Sequence, residues 1–191
     1  MSPILGILAS QNYSRVTNSY FSIATVTVGS GGTSGITFSS IPSTYTHLQI
    51  RAFGHTNRSS GAVTDGSRLK VNSDTGSNYA DHALQGDGAS ATSFFGGASN
   101  VYDTIYGLAG NNSSASTFGS FVLDILDYAN TSKYKTMRYL GGSDNNGSGV
   151  LFFGSALWMS TSAITNLNFI PNAGTLYNEY TTFALYGIKG A

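Results

Sequence analysis

The chain has 191 residues, a formal net charge of zero and only 9% Asp, Glu, Lys and Arg, against about 25% in an ordinary soluble domain. It has no surplus of Lys or Arg to displace counterions from a nucleic acid, and without cysteine it forms neither a disulfide nor a thiolate metal site. Ser, Thr, Asn and Gly replace the charge, together with 13% aromatic residues. This is the composition of a β-rich surface built to be covered by neighbours, neither disordered nor membrane-spanning.

The length suits a single domain with an arm, and the expected boundaries are an arm over 1–20 and a β-sandwich over 21–191. The first segment is the apolar run Pro3-Ile4-Leu5-Gly6-Ile7-Leu8-Ala9. A secretory signal places a basic residue before such a run, whereas the first one here, Arg15, follows it. The run is also far short of the roughly 20 apolar residues of a membrane helix. It reads as an attachment arm carried by Pro3, Ile4, Leu5, Ile7 and Leu8, or as an ordinary first strand; the polar stretch Ser10 to Ser19 then reads as a tether.

From there apolar and polar residues alternate with period two. Ser22 to Val28 reads as a strand, Gly29 to Gly32 as a turn, and Gly35 to Ser39 as the returning strand of a hairpin. His47 to Phe53 alternates cleanly. Asn57 to Gly66 reads as a polar loop, Arg68 to Asn72 and Tyr79 to Leu84 as strands, and Gly86 to Asn100 as a long Gly/Ser-rich loop. Val101 to Leu108 is a further strand. Phe118 to Leu126 is the strongest, apolar on both faces and therefore expected to be buried on both. Lys133 to Leu140, Val150 to Met159, Ile164 to Ile170 and Tyr180 to Ile188 complete roughly ten strands, and no helical stripe is sustained anywhere. The expected fold is all-β, a jelly-roll-like antiparallel β-sandwich with an N-terminal extended arm.

Catalytic signatures are missing from the pattern. His47, His55 and His82 do not stand at metal-ligand spacing. Asp81-His82 is the strongest candidate for an oriented imidazole. Asp124 and Asp127 would face opposite sides of a strand, and Asp127 reads as a turn cap. Asp144-Asn145-Asn146-Gly147 lacks the later glutamate of a calcium loop and reads as a hairpin turn. Tyr79, Phe94, Phe95, Tyr102 and Tyr106 fall near predicted loops. They read either as a surface platform on which sugar rings stack or as core and subunit-interface residues. No catalytic residue, cofactor site or metal site is assigned.

Several stretches resemble small virion proteins of tailed bacteriophages, especially those of marine and cyanobacterial hosts. The stretches are Ser22 to Val28, Ile41 to Arg51, Asn72 to Tyr79, Leu123 to Tyr128 and Phe183 to Gly190. They are strand and turn signatures covering most of the chain after about residue 20, with no catalytic residue to carry over. The resemblance implies a virion component and does not say which position in the virion it takes; the outer surface is the position expected here. The expectation is a non-enzymatic capsid decoration (cement) protein, a homo-oligomer and specifically a trimer, partnered by the major capsid or tail protein. The alternative is a tail-fibre or neck-spike module binding host-surface carbohydrate, and a third reading is a polysaccharide-degrading enzyme. Neither nucleic acid nor membrane is expected as a partner.

Overall fold

The computed structural model describes residues 19–59 and 61–189. Among them are twelve strands: β1 (Tyr20–Thr27), β2 (Ile36–Phe38), β3 (His47–Gly54), β4 (Thr64–Val71), β5 (Tyr79–Gly86), β6 (Ala91–Ser99), β7 (Tyr102–Ala109), β8 (Gly119–Ile125), β9 (Lys135–Asp144), β10 (Gly149–Trp158), β11 (Leu167–Pro171) and β12 (Thr182–Ile188). The arm residues Pro3, Ile4, Leu5, Ile7 and Leu8 lie outside the described residues.

Two antiparallel sheets face each other. The larger has the order β1-β12-β3-β8-β9-β10-β5-β6 and the smaller β2-β11-β4-β7. The chain alternates between sheets, β1 to β2 to β3 to β4 and again β7 to β8 and β11 to β12, so β1-β12-β3-β8 packs over β2-β11-β4-β7 as a jelly roll. Two inserted hairpins, β5–β6 and β9–β10, continue the first sheet beyond β8.

Alternation explains the core. Leu48, Ile50, Leu123, Ile125 and Leu185 point inward from the large sheet, and Ile36, Phe38, Leu69, Val71 and Phe169 from the small one. Phe183 sits at the centre, its ring 5.3 Å from Phe169, 5.2 Å from Tyr177 and 5.6 Å from Phe121. Two buried charged groups are held by hydrogen bonds. The Asp65 carboxylate accepts from Thr56 Oγ1 at 2.7 Å and from the backbone N–H groups of Gly66, Ala173 and Gly174 at 2.8, 3.1 and 2.9 Å, tying β4 to the β11–β12 loop. The buried Lys135 ammonium donates to the carbonyls of Lys133 and Thr161 at 2.8 and 3.2 Å, while desolvation lowers its pKa.

At one corner the sheets nearly touch. Gly107 of β7 has φ +128°, and a Cβ there would lie 2.6 Å from both Gly142 N and Ser120 O. Only glycine supplies both the conformation and the space.

Four expectations are corrected. The segments β1 and β2 are not a hairpin: β1 pairs with β12 and β2 with β11. Each has an apolar face to bury, and Gly31 and Gly32, with φ of 88° and 75°, let the chain cross to the other sheet between them. Strand β4 begins at Thr64, inside the segment read as a polar loop, because Asp65 is held there by its buried hydrogen bonds. The Gly86 to Asn100 loop is a hairpin. The Asp87 carboxylate accepts from the N–H groups of Ala89 and Ser90 at 2.9 and 2.7 Å, and Gly88 supplies φ 87°. The returning strand β6 is masked in sequence by Gly96, where a Cβ would stand 2.7 Å from the Asp81 carboxylate. Finally, β8 is buried on one face only, because among the described residues no layer covers the outside of the large sheet there.

Candidate functional site

Strand pairing places one apolar residue directly opposite the next on the outer face of the large sheet. Leu84 of β5 faces Phe153 of β10, Phe153 faces Leu140 of β9, and Leu140 faces Val122 of β8. Directly opposed side chains on one face are within contact distance, so the four make a continuous row across four strands. Leu151 stands beside it on β10, and Phe95 rises from β6. Leu84, Leu140, Leu151 and Phe153 are each 53–58% exposed and Phe95 is 79% exposed. Most of this row lies on the two inserted hairpins. The insertion therefore enlarges a sheet without covering it, and exposes a contiguous apolar surface of the kind that marks an interaction site.

The row is bounded on one side by polar groups. Arg138 Nε lies 3.5 Å from Asp124, Gln49 Nε2 donates to Asp124 at 2.8 Å, and Arg51 Nε donates to Gln49 Oε1 at 2.9 Å. The Arg51 guanidinium also covers the rings of Tyr20 and Tyr186, at 5.8 and 5.3 Å. Hollows flank the row. One of about 340 Å³ is lined by His82, Leu84, Phe95 and Phe153. Another of about 610 Å³ is floored by Gly86, Gly142 and Gly149 beside Leu151. The neighbouring edge strand β6 carries no charged residue and no proline, two of the features that keep edges from pairing with other chains, and is irregular only at its end, where the register shifts between Gly96 and Ser99.

The five aromatic residues marked in the sequence separate. Tyr79 and Tyr102 are corrected from surface to core. Tyr79 is buried, its hydroxyl accepts from Val71 N at 2.9 Å, and desolvation pushes its pKa up to about 12. Tyr102 is fully buried and packs edge-on against Tyr139 at 6.3 Å. Both occupy inward positions of strands that alternate over the sandwich core. Phe94 and Tyr106 converge, their rings 6.0 Å apart, and Tyr106 stacks on Phe152 at 4.8 Å. With Arg58, Thr64 and Gln85 they line a third hollow of about 410 Å³. Phe95 alone stands at the surface, stacked on His82 at 5.9 Å.

The titratable groups do not assemble. Asp81 is 2% exposed and faces inward, while His82, the next residue on β5, faces out, so strand alternation parts them. His55 is buried, its Nδ1 paired with the Asn178 amide at 2.7 Å, and burial holds its pKa below the usual range. His47 Nδ1 accepts from Asp127 N at 3.0 Å. Asp127 stands in the turn after β8, where its ion pair with Lys133 lowers its pKa. Asn145 to Ser148 form the β9–β10 hairpin turn, with φ 46° at Asn146 and 108° at Gly147. Among the described residues no three His, Asp or Glu side chains gather as a metal site would require. The apolar row was missed in sequence because Leu84, Val122, Leu140 and Phe153 lie on four different strands, and only the register of those strands sets them opposite one another.

No family model matches the chain, and no curated protein matches it. Among solved structures it is similar to a fructofuranosidase from Schwanniomyces occidentalis complexed with fructose, at 7% identity and a TM-score of 0.28 over 92% of this chain and 35% of that one. It is likewise similar to the β-fructofuranosidase of that organism complexed with fructosyl-erythritol, at 7% identity and a TM-score of 0.27, with the same coverage. The chain thus spans about a third of the length of these proteins. Likeness at that level supports neither a shared fold nor a shared activity.

Proposed function

We propose that the protein is a non-enzymatic structural component of the outer surface of a tailed-phage virion, an oligomeric capsid decoration protein of trimeric assembly. The observation that carries this reading is the apolar row on the inserted hairpins, uncovered among the described residues and continuous through Phe95 with the uncharged edge β6. An apolar row in a chain with only 9% charged residues is a surface for other protein. The jelly roll, a fold that capsid proteins use among others, and the resemblance of several strand and turn stretches to small phage virion proteins support the same reading. The test is to locate the protein in purified particles by gold-labelled antibody and by reconstruction. Density on the outer capsid surface is the expected result. Absence from washed particles would overturn it.

A second reading, a tail module binding host-surface carbohydrate, is favoured by the hollow lined by Phe94, Tyr106, Phe152, Arg58 and Gln85. It combines ring faces for stacking with a guanidinium and an amide for hydroxyl groups. Binding to a glycan array that disappears in Gln85→Ala would favour it over the decoration role.

A further inference from the structure

The third hollow, of about 410 Å³, opens where the two sheets stop matching in width. The inserted hairpins extend the large sheet past β8, while among the described residues the small sheet ends at β7. On the inner face of the extension Gln85 of β5 stands directly opposite Phe152 of β10, and Phe94 of β6 rises from the same face. Tyr106 of β7 forms the facing wall. Its hydroxyl accepts from the Asn172 amide at 3.0 Å, which fixes the ring. Phe94 meets Tyr106 and Phe152 edge-on, at 6.0 and 6.4 Å. The rim comes from the loop between β3 and β4, with Arg58 and Ala62, and from Thr64, the first residue of β4.

Among the described residues, Arg58 is the only charged side chain lining this hollow. Its backbone carbonyl accepts from Asn111 N at 2.8 Å and its Nη1 donates to the Thr64 carbonyl at 2.8 Å, so the guanidinium is held in place by the protein itself. The residue is half-buried, yet none of the ion pairs among the described residues includes it. Asp65 is the nearest acid in sequence. It points away from Thr64 into the core, where Thr56, Gly66, Ala173 and Gly174 fill its carboxylate with hydrogen bonds.

A partly desolvated cation without a counter-charge is unfavourable, and a guanidinium fork matches a carboxylate better than a lone hydroxyl. The rings offer apolar faces for the C–H groups of a sugar. A simple anion would leave the rings unused, and a neutral sugar would leave the guanidinium without a counter-charge. The volume lies within the usual range of ligand hollows, roughly 300–1,000 Å³, and holds a short saccharide. We propose that the hollow binds an acidic saccharide: a uronic-acid residue lies against the Phe94 and Tyr106 rings, its carboxylate pairs with the Arg58 guanidinium, and its hydroxyl groups bond to the Gln85 amide. This rests on the carbohydrate reading above and names the sugar chemistry of that site.

The test uses the full chain and oligomers of glucuronic, galacturonic and mannuronic acid. Each is measured by calorimetry beside its methyl ester and its carboxyl-reduced neutral counterpart. The unmodified protein is expected to bind at least one acid oligomer about ten-fold or more tightly than both neutral forms. Arg58→Gln should remove that preference, while Arg138→Gln, at an exposed position on the outer face, should keep it. Equal binding of acid and neutral forms overturns the proposal and leaves the carbohydrate reading standing, whereas binding of no saccharide overturns both. Loss of the preference in Arg138→Gln as well would make it an effect of net charge and overturn the site. Full competition by acetate would reduce the hollow to an anion site and overturn the saccharide. Should Arg58→Gln not fold, Ala62→Trp fills the mouth of the hollow from the loop, and acid binding retained there overturns the hollow as the seat.

Discussion

Asp74 shows how one side chain can report on the whole fold. Its carboxylate accepts from the Trp158 indole at 2.7 Å, from the Asn78 amide at 2.9 Å and from Gly76 N at 2.8 Å. The indole bond, then the amide, hold its pKa below the usual 3.8. A folded pKa below the unfolded one means that the native state favours the charged form. The stabilisation is complete above the unfolded value and is lost as pH falls from there through the folded value. Trp158 is the only tryptophan, so its emission should change on acidification below about pH 4, and Asp74→Asn should flatten that titration. An unchanged acid titration in Asp74→Asn would show that the indole bond is not the cause. At the core, Phe183 meets three aromatic rings and is fully buried. Phe183→Ala should cost about 3–5 kcal/mol by lost burial and the cavity left behind, measured by urea unfolding; a loss under about 1 kcal/mol would mean the site collapses around the gap.

At the scale of elements, the inserted hairpins and the jelly roll have different roles. The hairpins add area to one sheet; the jelly-roll strands carry most of the core. Substitutions on the outer row should therefore separate assembly from stability. Leu140→Ser with Phe153→Ser removes exposed apolar surface, so the melting temperature should move little while the oligomer weakens, read by calorimetry and light scattering on the same sample. A large fall in melting temperature with assembly unaltered would place these residues in the fold instead. Gly107 gives the opposite contrast. Its positive φ and the 2.6 Å approach to Gly142 N and Ser120 O leave no room for a methyl group. Gly107→Ala should destabilise by at least about 1–3 kcal/mol from the backbone conformation alone, with sheet contacts at the β7–β8–β9 corner lost first in hydrogen exchange.

For the whole molecule, the sandwich is asymmetric, with eight strands in one sheet and four in the other. The inner face of the extension is covered by β7, through Tyr106 against Phe152 and Tyr102 against Tyr139. Among the described residues nothing covers its outer face. For the trimeric assembly proposed above, light scattering at micromolar concentration is expected to return a mass of three chains, each of 20.0 kDa, and a stable single-chain mass would count against it.

Period-two alternation was enough to establish an all-β chain, because one buried face on a strand writes itself into every second residue. Leu48, Ile50 and Ala52 show this, as does the turn at Asn145 to Ser148, where local chemistry alone sets the backbone. Pairing was not legible, since β1 and β2 are adjacent in sequence yet belong to different sheets, and hydrogen-bond partners are chosen by where apolar faces can be buried. The strand β6 was hidden because an edge strand needs no apolar alternation and because Gly96 answers to the Asp81 carboxylate on its neighbour. For Tyr79 and Tyr102 the sequence left both a surface and a core reading open, and packing decided for the core. The candidate site was the least legible part. Leu84, Val122, Leu140 and Phe153 come from four separate strands, and only the register of those strands, a tertiary property, aligns them into one row.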